Sequence, residues 1–104
     1  MTPKLSPCTK QLVEFFFQEK DIVESARCLE EECGNNLPFC DHNNEHEMER
    51  IRFAAIKLSK GNLLNLRKAI DLARMDWREL LMAADFGYDI RAHEAWARDI
   101  LRGL

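Results

Sequence analysis

The sequence predicts an all-α fold: one domain over residues 1–104, built as a bundle of about six short helices, with residues 1–5 forming a loose N-terminal end. Glycine and proline are scarce, at 4 and 3 of 104 residues. Apolar residues recur at spacings of three and four instead of alternating with polar ones, which is typical of amphipathic helices and not of strands. A chain of this length suits a single modest core.

The first helix is predicted from about Pro7 to Gln18. Ser6 can cap it, and Pro7 takes the first helical position, where its missing N–H costs nothing. Three successive phenylalanines follow inside this helix and cover roughly 200° of its circumference at about 100° per residue. One monomeric core rarely buries so wide an arc, so we expect an interaction surface that uses Phe15, Phe16 and Phe17.

The second helix is predicted to open at Ile22, because Asp21 and Glu24 have the reciprocal spacing of a capping box. It should stop at the Gly-Asn-Asn segment, residues 34–36. Three glutamates at residues 30–32 crowd its C-terminal end, where the helix dipole disfavours negative charge. This run therefore predicts a basic neighbour in the fold.

The remaining helices are each marked by a start or a stop signal. The third starts near Asn44 and ends at Gly61, since glycine readily takes a left-handed conformation. Asn62 caps the fourth helix, and Asp76 starts a fifth as the first residue of another capping box. Gly87 is the predicted stop of the fifth, and the last helix is predicted to be capped by Asp89.

One stretch in the middle third of the sequence has a pattern that resembles one in other proteins. Its first half is Lys57-Leu-Ser-Lys-Gly-Asn-Leu, and its second half is Asp76-Trp-Arg-Glu-Leu-Leu. The pattern resembles a group of small, mostly bacterial, uncharacterised proteins in which Lys-Leu-Ser-x-Gly-Asn/Asp-Leu precedes Asp-Trp/Tyr-Arg-Asp/Glu-Leu/Val-Leu. The resemblance implies a helical fold and carries no activity with it.

The net charge of −3 conceals two halves of opposite sign. Residues 1–47 carry 4 basic and 10 acidic side chains, whereas residues 48–104 carry 11 basic and 8 acidic ones. Such halves can attract each other within the fold or across a symmetric dimer, or both can simply present solvated faces. The sequence pI of about 5.6 argues against a nucleic-acid binder.

The compartment is predicted to be the cytoplasm. No apolar run approaches the length of a membrane span, and no basic segment followed by an apolar stretch marks a secretory signal. Four cysteines without such a signal are expected to be reduced thiols. They are Cys8, Cys28, Cys33 and Cys40.

A zinc site is the sharpest chemical candidate. Its residues, spaced Cys-x6-Cys-x-His-x3-His, are Cys33, Cys40, His42 and His46. Thiolates and imidazoles are the ligands that zinc prefers, although the gap between the cysteines exceeds the usual two to four residues. The alternative is a set of buried structural cysteines beside two exposed histidines.

The prediction is therefore a non-enzymatic protein-interaction module whose partner is a second copy or another protein, with no membrane partner. No local motif pairs a cysteine with a catalytic base, which argues against an enzyme. Two alternatives remain open. One is a metal-binding protein that uses the Cys/His set, and the other is a weak nucleic-acid binder that uses the pair of basic helices around Arg67 and Arg74.

Overall fold

In a computed structural model, residues 4–33 and 45–102 are described, and no strand occurs within these two ranges. The all-α class is confirmed. The described ranges contain five helices instead of about six: α1 (Pro7–Phe16), α2 (Glu19–Glu32), α3 (Glu45–Ser59), α4 (Leu63–Ala83) and α5 (Ala92–Arg102). None of these described helices has both the length and the apolar character needed to cross a membrane.

Helix α1 begins as predicted but ends early. The Ser6 hydroxyl accepts a hydrogen bond from the Thr9 amide at 3.2 Å, and Pro7 opens the helix. The predicted end at Gln18 is wrong, because Phe17 adopts an extended backbone (φ −99°, ψ 146°). That conformation turns the Phe17 ring into the core and leaves Gln18 as the N-terminal cap of α2.

Helix α2 therefore begins at Glu19, three residues before the predicted start at Ile22. Asp21 is not its cap but lies in the first turn, where its charge favours the positive end of the helix dipole. The predicted capping box is wrong because Phe17 and Gln18 already provide the change of chain direction that the box was expected to mark.

The difference between six helices and five lies at Asp76. Its backbone leaves the helical region (φ −158°, ψ 91°), so α4 is kinked there without an intervening loop. The Asp76 carboxylate accepts from the amides of Arg78 at 3.1 Å and Glu79 at 3.3 Å. The predicted capping signal is thus used, but it restarts one kinked helix instead of opening a separate one.

The turns around α4 depend on left-handed residues. Lys60 and Gly61 have φ of 51° and 80° before Asn62, whose side chain accepts from the Asn65 amide at 3.0 Å. Gly87 is not the stop of α4, since Ala83 ends the helix and Asp85 (φ 64°) supplies the left-handed residue.

Helix α5 also starts later than predicted. Asp89 does not cap it directly; its carboxylate accepts from the Arg91 amide at 2.8 Å and its carbonyl from the Ala92 amide at 3.1 Å. These bonds close a turn that precedes the helix, so α5 begins only at Ala92.

Helix α3 lies at the centre of the fold and packs against α1, α4 and α5. Every residue from 50 to 56 is buried, including two arginines. Arg52 donates through Nε to the Cys33 carbonyl at 2.9 Å, and Arg50 donates to the Phe86 carbonyl at 2.7 Å. Charge-assisted bonds of this kind offset part of the cost of burying each guanidinium.

We expect Gly61→Ala to destabilise the protein by about 2 kcal/mol or more, because alanine disfavours a positive φ and lacks room there. A Cβ atom at Gly61 would lie 2.2 Å from the Phe16 carbonyl oxygen. Gly87→Ala is the matched control, since the closest contact of its Cβ would be the flexible Met82 side chain at 3.2 Å, and the Met82 backbone lies at ordinary contact distance. Urea denaturation of both variants tests this, and equal losses of stability would contradict it.

Candidate functional site

Two histidines and a glutamate converge where the start of α3 meets α5. The rings of His46 and His93 stand edge to face, with centroids 5.0 Å apart. His46 Nδ1 lies 3.7 Å from the Glu94 carboxylate. One potential ligand atom from each of the three side chains lies within 4.8 Å of the other two. We call these three residues the histidine–glutamate cluster.

The hydrogen bond of His46 defines which of its two ring nitrogens has a lone pair free to bind a ligand. Its Nε2 lies 3.0 Å from the carbonyl oxygen of Ile90. Because a carbonyl can only accept, Nε2 carries the proton in this bond. In the neutral ring the lone pair therefore sits on Nδ1, the nitrogen that faces Glu94.

His93 is fully buried, with 0% of its surface exposed. Its ring packs edge to face against Phe53 and Phe86, at centroid distances of 5.3 Å and 6.3 Å. Within the described part of the chain, neither ring nitrogen has a hydrogen-bond partner. Leaving a buried polar atom unbonded costs about 1–3 kcal/mol, so this ring is a source of strain unless something binds it.

Burial lowers the pKa of His93, because the charged imidazolium loses its solvation. The neighbouring His46 lowers this pKa further, whereas the carboxylates of Glu94 and Glu49 oppose the shift and Arg50 adds to it. His93 is therefore held in the neutral form, which has a lone pair available for a ligand.

The residues of the predicted zinc site are only partly described. Cys33 is buried at the C-terminal cap of α2. His46 lies in the histidine–glutamate cluster. The other two members, His93 and Glu94, are 47 and 48 residues further along the chain. Cys40 and His42 lie outside the described residues. The set of Cys33, Cys40, His42 and His46 stays a prediction.

The three phenylalanines of the predicted aromatic surface lie in three different environments. Phe17 is buried in the core, and Phe16 stacks on Trp96 with centroids 5.7 Å apart and planes 18° apart. Phe15 is 45% exposed and meets Phe16 edge to face at 5.0 Å. Of the three rings, Phe15 is therefore the one most available to a partner.

An open groove of about 470 Å³ lies between α1 and α2. Its apolar lining residues are Leu5, Val13, Ile22, Val23 and Ala26, and its charged ones are Lys10, Glu14, Arg27, Glu30 and Glu31. Val23 stands at its edge with 80% of its surface exposed. The sequence offered no clear signal for this residue, because it lies beside the apolar stripe of α2. We call this surface the α1–α2 groove.

The opposite charges of the two halves meet within the fold. Arg67 pairs with Glu24 at 3.4 Å and Arg74 pairs with Glu32 at 3.2 Å, so α4 neutralises part of the acidic face of α2. The basic neighbour expected for the glutamates at 30–32 is thus found. These arginines are the ones on which a nucleic-acid surface would depend.

No protein-family model, curated protein or solved structure matches the chain. The resemblance of the middle third to small bacterial helical proteins therefore stays a prediction.

We expect the stability of the protein to fall as the pH drops from 7 to 5, because His93 has a lowered pKa in the folded state. Above pH 6.5, the ordinary pKa of histidine, His93 is neutral in both the folded and the unfolded state. Below it the unfolded state takes up the proton first, which lowers the free energy of unfolding by at most about 1.4 kcal/mol per pH unit. Urea denaturation at several pH values measures this slope.

His93→Leu removes the titrating group and should flatten that slope. His46→Gln keeps the buried ring and should retain most of the slope, because burial is a larger cause of the lowered pKa than the neighbouring His46. An unchanged slope in His93→Leu would contradict the assignment.

Proposed function

We propose that this protein is a non-enzymatic interaction module that forms a homodimer through the α1–α2 groove. The observation that supports the proposal is an apolar recess bordered by an exposed apolar side chain on the same surface. The recess measures about 470 Å³, and Val23 at its edge is 80% exposed. An apolar centre with a charged border is the arrangement of protein–protein interfaces.

A second copy is the partner that this surface fits best. A two-fold interface uses the same patch on both subunits, so the patch must be complementary to itself. The α1–α2 groove offers both an exposed apolar side chain, Val23, and a recess whose lining includes Val13 and Ala26. Two copies related by a two-fold axis can place each Val23 in the recess of the other.

The charges at the border of the groove support the same partner. Lys10 and Glu30 both line it, and neither has an ion pair within residues 4–33 and 45–102. A surface carrying both signs can pair Lys10 of one copy with Glu30 of the other. Arg27 is already bound to Glu24 and Glu31 within its own chain, so it helps to hold the shape of the border.

The predicted aromatic surface extends this interface along α1. Glu14 lines the α1–α2 groove and also a neighbouring hollow of about 410 Å³ that contains Phe15 and Leu101. A stable dimer commonly buries about 800 Å² on each partner, more than one groove provides. The proposed interface therefore includes Phe15 as its second apolar contact.

We also propose that the module acts in the cytoplasm. Cys8 and Cys28 are thiols without a disulfide bond. Reducing compartments maintain cysteines in this state. A nucleic-acid function has weaker support, because Arg67 and Arg74 are engaged with α2.

Val23→Glu is expected to convert the dimer to a monomer at tens of micromolar, because it places a charge in the apolar centre of the interface. The substitution should leave the fold intact, since Val23 is exposed and glutamate favours a helix more than valine does. Sedimentation equilibrium of both proteins measures the change.

Met75→Glu is the matched control, because Met75 is 84% exposed but lies on α4, outside the groove. A dimer in this control and a monomer in Val23→Glu are expected. A wild-type protein that is strictly monomeric at these concentrations, or a Val23→Glu variant that stays dimeric, would sink the proposal.

A further inference from the structure

We infer that the histidine–glutamate cluster is a zinc-binding site with His46, His93 and Glu94 as the protein ligands. This inference goes beyond the proposed interaction function and does not depend on it. Two imidazoles and one carboxylate form a donor set that zinc and other divalent transition metals accept. The site differs from the predicted Cys/His set, with which it shares only His46.

The spacing of the donor atoms suits one small cation. Ligands that bind zinc tetrahedrally at about 2.0–2.1 Å lie about 3.3 Å from one another. His46 Nδ1 and the Glu94 oxygen are 3.7 Å apart, and all three donor atoms lie within 4.8 Å. Binding a cation would draw the donor atoms together from separations of up to 4.8 Å to about 3.3 Å.

His46 already has the outer contact that a metal ligand commonly makes. Its Nε2 donates to the Ile90 carbonyl, which fixes the ring and points the Nδ1 lone pair toward Glu94. Metal-binding histidines regularly hold their second nitrogen in this way, and such contacts set both the tautomer and the orientation of the ring.

His93 provides a second observation that indicates a bound cation, and it is independent of the donor spacing. Its ring is fully buried, yet neither nitrogen has a hydrogen-bond partner in the described part of the chain. One of its nitrogens lies among the other donors of the cluster. A bound cation would satisfy that nitrogen, whereas a solvated ion pair between His46 and Glu94 alone would leave it unbonded.

The site is accessible and incomplete, as expected for three protein ligands. The side chains of His46 and Glu94 are each 39% exposed, so a cation can enter from solvent. The fourth position of a tetrahedral zinc would fall to water or to a side chain of a partner. A bound cation would also tie the first turn of α3 to α5, the two helices that carry the ligands.

The test is titration of chelator-treated full-length protein with Zn²⁺ by isothermal calorimetry, and with Co²⁺ by visible absorption. One equivalent of Zn²⁺ is expected to bind. His46→Ala and Glu94→Gln should each weaken binding by more than about 100-fold, because even outer contacts of a ligand contribute about 10–100-fold. Both side chains are partly exposed, so neither variant should unfold the protein.

Asp99→Asn is the matched control, an acidic residue on the exposed side of α5 that should leave binding unchanged. Bound Co²⁺ should show the visible absorption of nitrogen and oxygen ligands. A sulfur-to-cobalt band in the near ultraviolet, abolished by Cys40→Ser, would assign the metal to the Cys/His set and overturn this site. Absence of one-equivalent binding, or full binding by Glu94→Gln, would overturn it as well.

Discussion

The structure depends on burying helix α3 on every side. Seven successive residues, 50–56, are all buried, and at about 100° per residue they face every direction around the helix axis. Two of the seven are arginines, whose charges need partners in the core. Arg52 binds the Cys33 carbonyl and Arg50 the Phe86 carbonyl, so the same bonds that make burial tolerable hold the end of α2 and the turn after α4 against α3.

Three local capping signals were predicted correctly, whereas the contacts between distant parts of the chain were not predicted. The caps at Ser6, Asn62 and Asp76 involve partners two or three residues away, and the structure uses all three. The end of α1 depends instead on Phe17 leaving the helix to enter the core, which no neighbouring residue signals. The buried arginines were missed for the same reason, since their acceptors lie 19 and 36 residues away.

At the candidate site, too, the sequence indicated local features but not the contacts between residues that are far apart along the chain. The approach of His93 to His46 joins residues 47 positions apart through the packing of α5 on α3. Sequence spacing directed the zinc hypothesis to nearby cysteines, because local motifs detect only ligands that are close along the chain. The histidine–glutamate cluster and the α1–α2 groove share no residue, so metal binding and dimer formation can be separated by mutation.

Residue-resolved amide hydrogen exchange tests the central role of α3 most directly. If the other helices depend on it, the amides of residues 50–56 exchange only when the whole protein unfolds. Their free energies of opening should then equal the global value from denaturant titration, whereas amides in α1 and α5 should open at lower cost. Opening of residues 50–56 at a lower free energy, with α1 and α5 still protected, would contradict this account.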